Sequence, residues 1–160
     1  MTLQMIIRNI KEFINIINDK KILSVDLGKK KVGLAISNTK HTITTPIKNI
    51  LRNKLFHENI KKIILEYSVG AILVGLPLND DKSLNKISQF IVDISKNMDL
   101  YLIENKINLP IYFWDENFSS FEAETLVRDF YKGEKIDKFA AKIFLDDFIR
   151  ENTLLDEKKN

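Results

Sequence analysis

The spacing of apolar residues predicts an α/β chain in which helices alternate with the later strands. Apolar residues recur at helical spacing over residues 3–18, 55–67, 84–98, 119–132 and from 137 onward. Short β-rich runs predict strands over residues 22–27, 32–37, 41–47, 71–75 and 111–114. This order indicates a mixed sheet with three antiparallel strands followed by parallel strands, and with helices on both faces.

The boundaries between these elements indicate how the chain is organised. Ser83 is a candidate N-cap for the helix that follows it. No repeat or low-complexity linker divides the chain, so we expect one domain over residues 1–160. Within it, residues 1–20 form an N-terminal helical extension, and the polar residues 151–160 form a tail that we expect to fray.

The composition excludes several classes of site. The 160 residues contain no cysteine, which excludes disulfides and thiolate zinc sites. With only His41 and His57, a histidine-built metal centre is disfavoured. The net charge of +3 permits nucleic-acid binding without requiring it. No stretch approaches the ~20 apolar residues of a membrane span and no secretory signal is evident, so we expect a cytoplasmic protein without a membrane partner.

Asp26 lies within the strand predicted over residues 22–27, where burying a carboxylate is costly unless a cation meets it. Either strand alternation turns this side chain toward solvent, or it binds a metal ion or a polar substrate. Further acids follow other elements: Asp115 and Glu116 end the last strand, and Asp137 opens the final helix. Sites in open α/β sheets form at strand ends. Carboxylates at such positions, without a usable histidine, suit Mg²⁺ or Mn²⁺.

Electrostatics support a metal site on one condition, that these acids converge. Two carboxylates ~4 Å apart repel by roughly 4 kcal/mol at an effective dielectric constant of about 20. Such a cluster raises carboxyl pKa values or recruits a divalent ion. Two ions would suit phosphodiester hydrolysis, and Lys29, Lys30 and Lys31 beside Asp26 would contact the phosphate backbone. Each acid alone also fits a helix cap or a solvated side chain.

Four short motifs lie along the chain. They are V-D-L-G-K-K-K-V-G-L-A-I-S at residues 25–37, V-G-L-P-L at 74–78, D-E-N-F-S-S at 115–120 and I-D-K-F-A-A at 136–141. Together and in this order they resemble the YqgF family, also called RuvX-like, whose members are described as Holliday junction resolvases and as pre-16S rRNA nucleases. The resemblance covers roughly residues 22–150.

This resemblance implies an RNase H-like fold and a two-metal nuclease site that takes Mg²⁺ or Mn²⁺. By position in the motifs, Asp26, Glu116 and Asp137 match the metal ligands and catalytic acids. Strand alternation points Asp115 and Glu116 to opposite faces, so we expect only one direct ligand there and favour Glu116. We expect the other motif residues to contact nucleic acid (Lys29, Lys30, Lys31, Ser119 and Ser120) or to shape the site (Gly28, Gly33, Gly75, Pro77 and Asp115).

Three positions depart from the family pattern. Asn117 stands where the family has an arginine after Asp-Glu, which removes a bidentate phosphate clamp. Ser120 replaces a threonine, which is a mild change, and the loop over residues 79–82 lacks the family's glycine.

The resemblance implies a metal-dependent endonuclease that hydrolyses phosphodiester bonds in structured nucleic acid. The leading hypothesis is 5′-end maturation of pre-16S rRNA in ribosome biogenesis, with pre-16S rRNA or a ribosomal precursor as partner and the protein a monomer or homodimer. The same site could instead resolve four-way DNA junctions, which requires a dimer. A non-catalytic nucleic-acid- or ribosome-binding module is a third hypothesis, which Asn117 favours. The first hairpin also resembles the phosphate loop of actin-like kinases, but 160 residues are too few for that two-domain fold.

Overall fold

The computed structural model describes residues 4–115 and 135–159, with side chains for residues 139–152 of the second range. Its helices are α1 (Ile10–Ile16), α2 (Phe56–Tyr67), α3 (Lys86–Glu104) and α4 (Lys135–Lys159). Its strands are β1 (Lys21–Leu27), β2 (Lys31–Ser37), β3 (Thr44–Leu51), β4 (Val69–Leu76) and β5 (Ile111–Asp115). Within these described ranges, no helix is long and apolar enough to cross a membrane.

The strands form one mixed sheet in the order β3-β2-β1-β4-β5. β1, β2 and β3 pair antiparallel in succession, whereas β4 lies parallel to β1 and β5 lies parallel to β4. This confirms the predicted fold class. Because β1, β4 and β5 run in one direction, they finish at the same end of the sheet, which we call the carboxyl end. The β1–β2 turn and the last residue of β3 also lie there.

Helices cover both faces of the sheet. One face packs against α2 and α3 and includes Leu23, Val25 and Leu27 of β1. The other face packs against α1 and α4, and Ile22 of β1 is fully buried there. Because strand side chains alternate, Asp26 lies on the same face as Ile22. We call this second face the α4 face.

The prediction for the N-terminal segment is wrong in part. We predicted a helix over residues 3–18, but the residues before α1 pair with the outer edge of β5. The amide of Ile7 donates to the carbonyl of Ile111 at 2.8 Å, and the amide of Ile111 donates to the carbonyl of Met5 at 2.9 Å. This pairing covers backbone groups that an edge strand would otherwise expose. Phe13 of α1 is fully buried on the α4 face.

The start of α3 also differs from the prediction. Asn85 caps the helix instead of Ser83: its side-chain oxygen accepts a hydrogen bond from the amide of Ser88 at 2.9 Å, and the Ser88 hydroxyl accepts one from the Asn85 amide at 2.6 Å. The amide of Ser83 donates to the carboxylate of Asp81 at 2.9 Å, within the preceding turn. A local side-chain contact therefore competes with the cap that spacing suggested.

The boundaries of two further elements, β3 and α4, differ from those predicted. β3 begins at Thr44 because His41 has a φ of 54°, a left-handed conformation that does not continue a strand. α4 continues to Lys159 and so includes most of the polar segment that we expected to fray. The helix predicted over residues 119–132 lies outside the described residues.

Candidate active site

Asp26 lies between two glycines at the carboxyl end of the sheet. On one side, the register pairs Asp26 with Gly33 of β2. On the other side, β1 and β4 are paired up to Val25 and Val74, so Gly75 is the next residue beside Asp26. Since glycine has no side chain, the two residues directly beside Asp26 on the adjacent strands contribute none next to its carboxylate. Asp26 is also partly exposed, whereas the four residues before it, Ile22–Val25, are buried.

The basic turn beside Asp26 joins β1 to β2 in a tight hairpin. The amide of Gly28 donates to the carbonyl of Lys31 at 3.0 Å. A Cβ at Gly28 would lie 2.6 Å from that same carbonyl oxygen, so only glycine fits this close approach. Asp26, Gly28 and Lys29–Lys31 line an open cleft of about 490 Å³. The turn therefore places three lysines and one carboxylate around one surface depression.

Helix α4 is held against β1 by a buried hydroxyl. Ser24 is fully buried, and its hydroxyl donates to the carbonyl of Ala141 at 2.9 Å. Further along the helix, Asp146 accepts a hydrogen bond of 2.5 Å from Thr44, at the opposite end of the sheet. α4 therefore runs antiparallel to β1, and its first turns point toward the carboxyl end. The backbone of Asp137 lies there, one helical turn before Ala141.

Asp115 lies on the other face of the sheet from Asp26. It is the last residue of β5, one position after Trp114, which packs on the α4 face. Its carboxylate is 23% exposed and forms an ion pair with Lys82 in the loop between β4 and α3. Asp115 thus supports the strand end and faces away from the Asp26 cleft.

Some of the predicted site residues fall outside the part of the chain that the structure describes. Glu116, Ser119 and Ser120 lie outside the described residues, as does Asn117. Within residues 4–115 and 139–152, no three acidic or histidine side chains are grouped as ligands of a metal ion. Asp26 alone, of the three proposed ligands, has a described side chain, and its oxygens are the hard donors that Mg²⁺ and Mn²⁺ prefer. The three-acid site stays a prediction.

The loop that follows β4 is tied to its surroundings by hydrogen bonds. The carbonyl of Pro77 accepts a hydrogen bond from the side-chain amide of Asn85 at 3.0 Å. Lys82 has a φ of 69°, in the left-handed region that favours glycine. The family pattern has a glycine in this loop, and here a lysine adopts a backbone conformation that glycine favours. Sequence spacing gave no indication that the Lys82 side chain would reach Asp115.

Two other residues near the cleft were missed by the sequence analysis. In the sequence, Ser24 is a small residue inside an apolar strand. Its hydrogen bond to α4 becomes evident only from the packing of that helix against β1. Arg52 follows β3, and its Nε donates to the carbonyl of Lys29 at 2.9 Å. One signal was available for Arg52, because it is one of few arginines in a chain whose basic residues are mostly lysines.

Comparison with known families identifies the group to which this sheet and cleft belong. The family model RuvX, described as Holliday junction resolvase, matches residues 20–151. The chain belongs to the RuvX family. The RuvX match begins one residue before β1, so it includes the sheet and most of α4 but leaves α1 outside.

Relatives of this RuvX protein resemble it over most of their length. A Mycoplasma mobile protein named "Putative pre-16S rRNA nuclease" is 34% identical over 143 residues, covering 85% of this chain and 95% of the relative. An Orientia tsutsugamushi protein of the same name is 35% identical over 149 residues, covering 89% and 92%. Among solved structures, T. thermophilus RuvC in complex with a Holliday junction substrate aligns with a TM-score of 0.52 at 11% identity, covering 82% of this chain and 95% of that chain. This likeness confirms the RNase H-like fold.

Proposed function

We propose that this protein is a metal-dependent endonuclease that cleaves phosphodiester bonds in structured nucleic acid, with Asp26 at the reacting centre. The observation that carries the proposal is the placement of Asp26, between Gly33 and Gly75 and beside the lysine turn, in a chain of the RuvX family. Glycine neighbours leave room for a phosphate beside the carboxylate. The lysines supply the charge that attracts a polyanion.

Mg²⁺ or Mn²⁺ fits the oxygen donors at this site, with Asp26, Glu116 and Asp137 as the proposed ligands. Such ions, when bound, activate a water molecule and stabilise the charge on the leaving oxygen. The chain's own residues bind the nucleic acid and position the ligands. Lys29–Lys31 hold the phosphate backbone, while Ser24 fixes α4, and with it Asp137, against the strand that carries Asp26.

The names of the relatives make pre-16S rRNA the first substrate to test, with 5′-end maturation in the cytoplasm as the corresponding role. The description of the family model favours a second substrate, the four-way DNA junction. Junction resolution needs two cleavage sites at a fixed separation, and therefore a homodimer. Asn117, in place of the family's arginine, keeps a third hypothesis open, in which the protein binds nucleic acid without cleaving it.

The test is cleavage of pre-16S RNA with Mg²⁺ or Mn²⁺ by the wild type and by Asp26→Asn. Asp93→Asn is the matched control, because Asp93 is an exposed acid of α3. We expect the wild type and the control to cleave equally, and Asp26→Asn to bind RNA without cleaving it. Equal cleavage by Asp26→Asn would exclude this assignment. Cleavage of a four-way DNA junction but not of RNA, by a dimer in sedimentation, would favour the resolvase role.

A further inference from the structure

Arg52 is held in place by three contacts near the β1–β2 turn. Its backbone amide donates to the carbonyl of Lys30 at 2.8 Å, and its side-chain Nε donates to the carbonyl of Lys29 at 2.9 Å. Its guanidinium carbon lies 4.8 Å from the centroid of the Phe90 ring. These contacts do not use the two terminal nitrogens of the guanidinium. Among the described residues, neither a carbonyl nor a carboxylate pairs with these nitrogens.

A groove opens beside this guanidinium, between the start of α2 and the side of α3. It has a volume of about 330 Å³, and the polar residues that line it are Arg52, Asn53, Lys54, His57 and Asn97. All five carry N–H donors, and Lys54 adds a second positive charge. Burial lowers the pKa of His57, so its imidazole is neutral at physiological pH. None of the described carboxylates lines the groove, although Glu58 and Asp93 lie on the same two helices.

The groove and the Asp26 cleft lie on opposite sides of one turn. Lys29 and Lys30 line the Asp26 cleft, and their carbonyls accept hydrogen bonds from Arg52. Asp26 belongs to the α4 face, whereas Phe90 packs against the core on the other face. A nucleic-acid strand bound at both places would therefore cross the lysine turn at the carboxyl end of the sheet.

We infer that the groove around Arg52 binds a backbone phosphate of the nucleic-acid strand whose scissile bond lies at Asp26. This inference rests on the proposed function and extends its substrate path. An arginine whose Nε and ring face are already engaged is pre-organised, so its terminal nitrogens meet a phosphate with little loss of side-chain freedom. The neighbouring amides add neutral donors, and Lys54 adds charge.

The test measures RNA binding without metal, so that cleavage plays no part. A fluorescein-labelled RNA hairpin with a single-stranded extension is titrated with protein in EDTA over a series of KCl concentrations, and binding is read by fluorescence anisotropy. The variants are Arg52→Gln and Lys54→Gln. Lys62→Gln is the matched control, because Lys62 is an exposed lysine of α2 outside the groove. Lys54→Gln keeps the test valid if Arg52→Gln disturbs the turn.

Each lost phosphate contact reduces the magnitude of the negative slope of log K against log salt by about 0.7 to 0.9. We expect this decrease for Arg52→Gln and Lys54→Gln, and no change for Lys62→Gln. A wild-type slope in both groove variants, an equal loss in Lys62→Gln, or no RNA binding by the wild type would overturn the inference. If the groove variants respond as expected but Mn²⁺ supports no cleavage, the groove stands and the nuclease proposal fails. If the wild type cleaves RNA but the slopes of the groove variants are unchanged, the nuclease proposal stands and the groove fails.

Discussion

Replacement of Ser24 by alanine tests whether the contact between β1 and α4 matters for the site. The hydroxyl of Ser24 is fully buried and donates to the carbonyl of Ala141 at 2.9 Å, with the carbonyl of Ala35 at 3.3 Å as an alternative acceptor. One hydroxyl proton makes one such bond at a time, so the variant loses a single hydrogen bond. Water cannot replace it at a fully buried position.

The expected cost follows from that count. A buried neutral hydrogen bond contributes a net ~0.5–1.5 kcal/mol, so Ser24→Ala should lower the free energy of unfolding by about 1 kcal/mol. For a chain of this size, that corresponds to a decrease in melting temperature of roughly 2–4 °C. If α4 supplies a metal ligand through Asp137, its looser attachment also raises the metal concentration needed for half-maximal cleavage. We expect less than the roughly 10–100-fold loss seen when a group that bonds a ligand directly is removed.

The matched control is Ser95→Ala. Ser95 is also fully buried, and its hydroxyl donates at 2.7 Å to the carbonyl of Ile91, one turn earlier in its own helix. Such bonds within one helix add little stability, so this variant should unfold within about 0.5 kcal/mol of the wild type and keep the wild-type metal requirement. Urea unfolding and cleavage against Mn²⁺ concentration measure the two effects. Equal behaviour of Ser24→Ala and Ser95→Ala would refute the role assigned to Ser24.

Three further predictions concern other described residues. Phe13→Ala should lower the free energy of unfolding in urea by about 3–5 kcal/mol, because a fully buried ring is lost; a change under ~1 kcal/mol would show that α1 is not part of the core. Burial raises the pKa of Asp99 above its ordinary 3.8, although the amide of Met5 donates to it. The stabilisation given by protonated Asp99 is therefore lost as pH rises from 3.8 through the folded pKa. Compared with the wild type, Asp99→Asn should gain stability at neutral pH that it does not gain below about pH 4. Urea midpoints measured against pH test this. Gly28→Ala should cost about 1–3 kcal/mol and reduce cleavage, because the new Cβ would lie 2.6 Å from the carbonyl oxygen of Lys31; unchanged unfolding and cleavage would contradict this.

Local patterns were the most predictable part of the fold. The β1–β2 hairpin follows from two apolar runs and a glycine, and the structure shows why that glycine is required at residue 28. The parallel strands followed from short apolar runs bounded by helical patterns. These predictions succeed because their causes lie within a few residues of one another.

Predictions that depend on distant partners were less successful. The pairing of Met5–Ile7 with β5 joins segments about a hundred positions apart. The periodicity of side chains within either segment does not predict this pairing. Ser83 matched the composition of a helix cap, but a neighbouring carboxylate, Asp81, takes its amide. Arg52 and Lys82 act through contacts with other elements, so their roles appear only once the chain is folded.

The α4 face of β1 explains why a carboxylate is tolerated inside this strand. Toward the carboxyl end, its residues change from Ile22 and Ser24, both fully buried, to the partly exposed Asp26. The opposite face of β1 stays apolar to the end of the strand. The change from apolar to polar residues along the α4 face is therefore more than the alternation of side chains between the two faces. Gly33 and Gly75 remove apolar surface on both sides of the carboxylate, which lowers the cost of keeping it charged. The acid is therefore placed where the core on this face ends, and the helix that covers this face, α4, is the element best placed to bring a partner to it.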